Sequence, residues 1–132
     1  MLEQICKFDY WGPPPPTRLD NTLHHVIFLR FKDDANAAAV KAVENGFIEL
    51  ADLVDEIKAF EWGRNVSTEG LDDGFTHCFI VTFDSEAGRA AYHENADHWK
   101  FVEVLAGSMA KARVVDFFSR RPSPDSPGPA SE

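Results

Sequence analysis

The chain has 132 residues, 44% of them apolar, enough for one hydrophobic core and too few for two ordinary domains. Its 13 Lys+Arg stand against 22 Asp+Glu, and the resulting net charge of -9 repels nucleic-acid phosphates and anionic membranes, so neither is an expected partner. No run is long and apolar enough to cross a bilayer, and the start MLEQICKFDYWG lacks the apolar centre of a secretory signal, which points to a cytoplasmic protein with Cys6 and Cys78 as reduced thiols.

Residues 1–22 carry no periodic pattern, and Pro13–Pro16 favours polyproline II, so this segment is predicted to be an irregular leader. Leu23 to Lys32 then alternates, with Leu23, His25, Ile27, Leu29 and Phe31 on one face and His24, Val26, Phe28 and Arg30 on the other, which predicts a first strand. Asp33 and Asp34 offer capping oxygens before a stripe of Val40, Val43, Phe47, Leu50 and Val54, the spacing of an amphipathic helix over residues 35–55. Ile57 to Trp62, ending at Gly63, reads as a second strand, and a polar loop closes on Asp72-Asp73-Gly74. The run FTHCFIVTF sets Phe75, His77, Phe79, Val81 and Phe83 against Thr76, Cys78, Ile80 and Thr82, a third strand. Ser85 can cap a short helix to Tyr92 or His93, and Asn95 or Asp97 a further helix to about Ser108. Ala112 to Phe118 reads as a fourth strand, and residues 119–132, rich in Pro and Ser, are expected to be a disordered tail.

The order β, α, β, β, α, β with a broken second helix predicts an α+β ferredoxin-like split βαβ domain over residues 23–118, with a four-stranded antiparallel sheet. All helices then cover one sheet face. The other, half apolar, needs a partner, so a homodimer formed sheet to sheet is expected.

The segments HHVIFLRFKDD, FEWGRNVS, FTHCFIVTFDS, AYHENADHWKFV and ARVVDFF resemble the stress-responsive dimeric α/β barrel family, in the family's order and across residues 24–118. That resemblance implies two sheets facing each other in a homodimer and a ligand pocket in each subunit between its own sheet and helices. It implies no single activity, since the family holds stress-induced proteins without an assigned reaction as well as a plant cyclase that closes a polyketide thioester by aldol condensation. In that cyclase a tyrosine and a histidine form the acid-base pair, and Tyr92 and His98 stand at the matching positions. His98 would be the base and Tyr92 the donor to the oxyanion. The alternative is that Tyr92 packs on the sheet and His98 steadies a helix end.

His25, matching a first-strand histidine of the family, and His77 on the third strand are lone polar residues on apolar strand faces, so each is expected to line the pocket or to be a satisfied core histidine. His24 and His93 are expected at the surface or the dimer interface. Phe47 replaces a tyrosine of the cyclase, and Phe47, Phe79 and Phe83 would make an apolar chamber suited to a small apolar or aromatic carbonyl compound, or simply core. His25, His77 and His98, with Asp97 or Glu94, could be imagined around a metal, but HExxH, paired CxxC and close His repeats are missing. GxGxxG and GxxxxGKS are missing too, so no metal or nucleotide cofactor is expected. Cys78 points away from the histidine-bearing face and reads as an inert thiol. Three functions fit: a cofactor-independent cyclase, isomerase or lyase using His98 and Tyr92, a non-catalytic stress-associated binding or structural homodimer, and, with little support from Trp62 and Trp99, a cofactor-free monooxygenase.

Overall fold

Alternation along β1 (Leu23–Phe31) decides the layering: Leu23, His25, Ile27 and Leu29 are buried, while His24, Val26, Phe28 and Arg30 are half-buried on the opposite face. The computed structural model describes residues 22–120, so the leader with Cys6 and Pro13–Pro16 and nearly all of the expected tail lie outside the described residues. After β1 come α1 (Ala37–Leu53), β2 (Ala59–Arg64), β3 (His77–Phe83), α2 (Glu86–Glu94), α3 (Ala96–Ala106) and β4 (Met109–Phe118). The strands form one antiparallel sheet in the order β2-β3-β1-β4, the ferredoxin-like arrangement that the element order predicts.

Several boundaries differ from the sequence reading for local reasons. Asn36, rather than Asp33 or Asp34, caps α1, its side-chain oxygen accepting the Ala39 N–H at 2.8 Å. β2 lies two residues further on than expected, because Ile57 is spent in the turn, where it is fully buried, and Gly63 stays in the ladder opposite Cys78. β4 starts at Met109, ahead of Ala112, with a register shift opposite Arg30 and Phe31. The loop before β3 turns through Asp73 and Gly74 at positive φ, with Asp72 Oδ1 accepting the Gly74 N–H at 3.0 Å and Asp73 bound to Lys111 at 2.7 Å.

The core sits between the sheet and the helices. Val43, Phe47, Leu50 and Ala51 of α1 pack on Leu23, Ile27, Leu29, Phe79, Val81 and Phe83. Burying each large apolar side chain contributes roughly 1.5–3 kcal/mol, which is why the helix settles on this stripe. Phe47 stacks on Phe79 with ring centroids 4.3 Å apart and meets Phe101 of α3 at 4.6 Å. Gly46 allows that approach, since a Cβ there would stand 2.9 Å from the Phe101 ring. Among the described residues no helix lies on the other sheet face: Val26, Phe28, Ile80, Val115 and Phe117 share it by register, and Val115 and Phe117 are 56% and 50% exposed. Among the described residues no helix is long and apolar enough to cross a membrane.

Candidate functional site

The break between α2 and α3 builds the centre of the site. Ser85 Oγ accepts the Gly88 N–H at 3.1 Å and starts α2, which ends at Asn95. The Asn95 side chain then accepts the Asp97 N–H at 2.7 Å and starts α3. A single residue between two helices redirects the chain sharply, so that Tyr92 in the last turn of α2 and His98 in the first turn of α3 face each other, with ring centroids 4.5 Å apart.

They line a cavity of about 620 Å³ between the helices and the β1–β4 half of the sheet. Its polar end holds His25, Arg89, His93 and Asp116, and its apolar end Phe47, Phe101, Leu105, Met109 and Val114. His25 Nδ1 donates to Asp116 Oδ1 at 2.8 Å, and the Arg89 guanidinium donates to Asp116 Oδ2 at 2.6 Å. His93 stands edge-on to His25 and to His98, with centroids 5.4 Å away in both cases. His98 Nδ1 is buried without a side-chain hydrogen-bond partner, and a backbone hydrogen bond with His93 acts on the ring.

These surroundings separate the protonation behaviour of the pair. Burial first, then the charge of His93 and more weakly that of His25, hold the His98 imidazole below the usual histidine value, with a backbone hydrogen bond with His93 working in the opposite direction. Burial pushes the Tyr92 phenol up. Near neutral pH, His98 is thus a free base and Tyr92 a proton-bearing donor, the division of labour that proton abstraction beside a carbonyl needs.

Of the residues singled out in the sequence, Tyr92, His98, His25 and Phe47 come together here. His77 and Phe79 do not. Phe79 is fully buried in a stack with Phe47, Phe60 and Trp62. His77 lies at the other end of β3, donating from Nε2 to the buried Glu44 carboxylate of α1 at 2.8 Å while its Nδ1 meets Thr76 Oγ1 at 2.8 Å. Arg64 of β2 donates to the same Glu44 oxygen from Nε at 3.0 Å and from a terminal nitrogen at 2.7 Å. Burial pushes the Glu44 carboxyl up, but the hydrogen bonds and charges of His77 and Arg64 outweigh it and hold the group below the usual carboxylate range.

His93, expected at the surface or the dimer interface, is half-buried in the cavity wall, because the last turn of α2 points it inward between two other imidazoles. Arg89, Asp116 and Glu44 went unremarked in the sequence. Two of them left a signal: Asp116 is the one charge within VVDFF, and Glu44 falls on the Val40–Phe47 stripe at helical spacing. Cys78 lies on the open sheet face, its thiol pushed up by burial and by Glu61. Among the described residues no group of three or more His, Cys, Asp or Glu is arranged to hold a metal ion.

Sheet, helices and cavity together define an α+β domain of ferredoxin-like fold with one solvent-facing sheet surface. The chain belongs to the family described as "Stress responsive A/B Barrel Domain", which matches residues 23–119. It is 36% identical over 93 residues to the stress-response A/B barrel domain-containing protein HS1 of Arabidopsis thaliana, covering 70% of this chain and 85% of that protein. It is 27% identical over 97 residues to olivetolic acid cyclase of Cannabis sativa, covering 74% of this chain and 96% of the cyclase. Its fold is shared by the hydroxynitrile lyase of Passiflora edulis, at a TM-score of 0.73 and 21% identity over 80% of this chain and 99% of the lyase. A dimeric ferredoxin-like protein from Thermobifida fusca superposes at 0.64 with 23% identity, over 74% of this chain and 91% of that one.

Proposed function

We propose that this protein is a cytoplasmic homodimer that binds a small apolar or aromatic carbonyl compound between its sheet and helices and acts on it without a cofactor, as a cyclase, isomerase or lyase. His98 is the base and Tyr92 the donor. The observation that carries this reading is the half-buried His98 ring set against Tyr92, with centroids 4.5 Å apart, in the wall of an open cavity. His98 removes a proton from the carbon next to the carbonyl, and the electron pair moves to the carbonyl oxygen. The Tyr92 hydroxyl donates a hydrogen bond to that oxygen as charge develops. Leu105, Met109 and Val114 offer an apolar lodging for an alkyl or aryl group.

Dimerisation is supported by the open sheet face, where Val115 and Phe117 would otherwise stay in water. It is the natural cover for a second cavity of about 630 Å³ on that face, lined by Phe28, Phe75, Ile80 and Val115. The test is turnover and ligand binding across a panel of carbonyl and polyketide-like compounds. His98→Ala should abolish turnover while light scattering still reports twice the chain mass. A wild type that dimerises yet binds nothing in the panel would establish the alternative, a non-catalytic stress-associated dimer, and a clean monomer would sink both.

A further inference from the structure

The cavity is graded along its length. Its floor follows the β1–β4 ladder, where His25 pairs with Asp116, Ile27 with Val114 and Leu29 with Ala112, so a polar row gives way to apolar ones over steps of about 6.7 Å. Above the polar row, Arg89, Tyr92 and His93 fall at spacings of three and four residues on the cavity face of α2, which sets Arg89 one helical turn from Tyr92. A carbonyl compound held at His98 and Tyr92 therefore extends one arm over the apolar rows and the other toward Arg89 and Asp116. That pair is joined but not saturated. Asp116 Oδ1 and Oδ2 each accept one bond, from His25 and Arg89, whereas a carboxylate has about four lone-pair sites in all. Arg89 has further N–H donors beyond the one given to Asp116, and Glu86 stands 4.0 Å from its second terminal nitrogen, too far for a hydrogen bond.

We propose that the Arg89–Asp116 pair selects the second arm of the ligand: it admits a neutral group that both donates and accepts hydrogen bonds, such as a hydroxyl, and turns away a carboxylate. This rests on the carbonyl-binding reading given above. A hydroxyl can donate to a spare lone pair of Asp116 while it accepts from a spare Arg89 N–H, so one group satisfies both partners. A carboxylate only accepts, and it would place a second anion beside Asp116. Among the described residues Arg89 is the only Lys or Arg lining the cavity, its charge is already matched by Asp116 at 2.6 Å, and the chain as a whole carries -9. Burial holds His93 below the usual histidine value, so its ring adds no charge near neutral pH. Solvent weakens the repulsion without removing it, since the Arg89 and Asp116 side chains are 28% and 21% exposed. The favoured ligand is thus a ketone with an alkyl or aryl group on one side and, on the other, a hydroxyl about one helical turn from the carbonyl.

The experiment is calorimetric titration of the full chain near neutral pH with three valerophenones that carry hydrogen, hydroxymethyl or carboxylate at the para position, for wild type, Asp116→Asn and Arg89→Met. Wild type should bind the hydroxymethyl ketone most tightly and the carboxylate roughly tenfold or more weakly. Asp116→Asn leaves Arg89 unmatched while its amide oxygen can still accept from His25, and it should bring the carboxylate level with or ahead of the hydroxymethyl ketone. Arg89→Met should reduce the hydroxymethyl advantage over the unsubstituted ketone and still reject the carboxylate. Wild type that binds the hydroxymethyl and carboxylate ketones alike overturns the selection and leaves the carbonyl site standing. So does a folded Asp116→Asn protein in which all three ketones weaken together, because the residue then only packs. Should melting curves show that Asp116→Asn does not fold, Arg89→Met decides: a carboxylate taken as readily as the hydroxymethyl ketone overturns the proposal. Wild type that binds none of the three overturns the carbonyl-binding reading and the selection with it.

Discussion

Two histidine sites sit at opposite ends of the same helix–sheet interior, and their burial and partners differ. At the β2–β3 end, His77 has both ring nitrogens engaged, by Glu44 and Thr76, and is flanked by Trp62 and Phe31. At the β1–β4 end, the half-buried His98 has no side-chain hydrogen-bond partner at Nδ1 and stands in the wall of a cavity. The first arrangement is complete and therefore structural. The second leaves a half-buried ring in a cavity wall, where a bound molecule can reach it. Burial and partners both tell the two apart, since His77 is buried with both ring nitrogens bonded, while His98 is half-buried and lacks a side-chain partner.

The sharpest way to break this contrast is to exchange the consequences of mutation. Glu44→Ala should lower stability by about 1–3 kcal/mol, because it leaves the buried His77 Nε2 without its acceptor. Chemical denaturation would measure that, and any activity of the remaining folded protein should be retained. His98→Ala should do the opposite, removing turnover while shifting the melting temperature little; a loss of stability as large as that of Glu44→Ala would mean that His98 is structural.

Tyr92→Phe should lower the rate by roughly ten- to a thousand-fold, with a smaller effect on binding, since only the donor hydroxyl is lost. Steady-state kinetics would separate the two effects.

Acid should also act on the two ends differently. Glu44, held below its ordinary 4.5, contributes stability that is present above that value and lost as pH falls through its lower folded value. His98, held below 6.5, is neutral in the fold while the unfolded chain begins to take up protons near 6.5. Its share of stability therefore declines as pH falls from there through its folded value. The same protonation removes the base, so the acid limb of the rate profile should lie below the usual histidine range. A limb at or above 6.5 would contradict the burial of His98.

The smallest effect is expected at Arg64, whose side chain is 63% exposed although it grips Glu44. Arg64→Lys should cost less than about 1 kcal/mol by urea denaturation, because solvent screens an exposed ion pair.

Periodicity alone carried most of the fold. The alternation of LHHVIFLRF and HCFIVTF and the Val40–Val54 stripe fixed three elements and the buried face of each, because side-chain direction follows the backbone repeat and the apolar side must turn inward. Boundaries were less legible. Three polar residues near the start of α1 could each have capped it, and the choice of Asn36 over Asp33 and Asp34 depends on where the chain leaves the β1 turn.

The candidate site was legible only in part. Tyr92 and His98 could be paired through their resemblance to a known family, but His25 and His77 looked alike, each a lone imidazole on an apolar face. Only the tertiary structure decides between them, because strand register sets His25 opposite Asp116 and the packing of α1 on the sheet sets His77 beside Glu44, residues 91 and 33 positions away. Sequence spacing cannot report such partners. Local physics wrote the strands, helices and layers into the sequence, whereas the partners of each buried polar group, and hence which histidine is left free to react, were settled only when distant segments packed together.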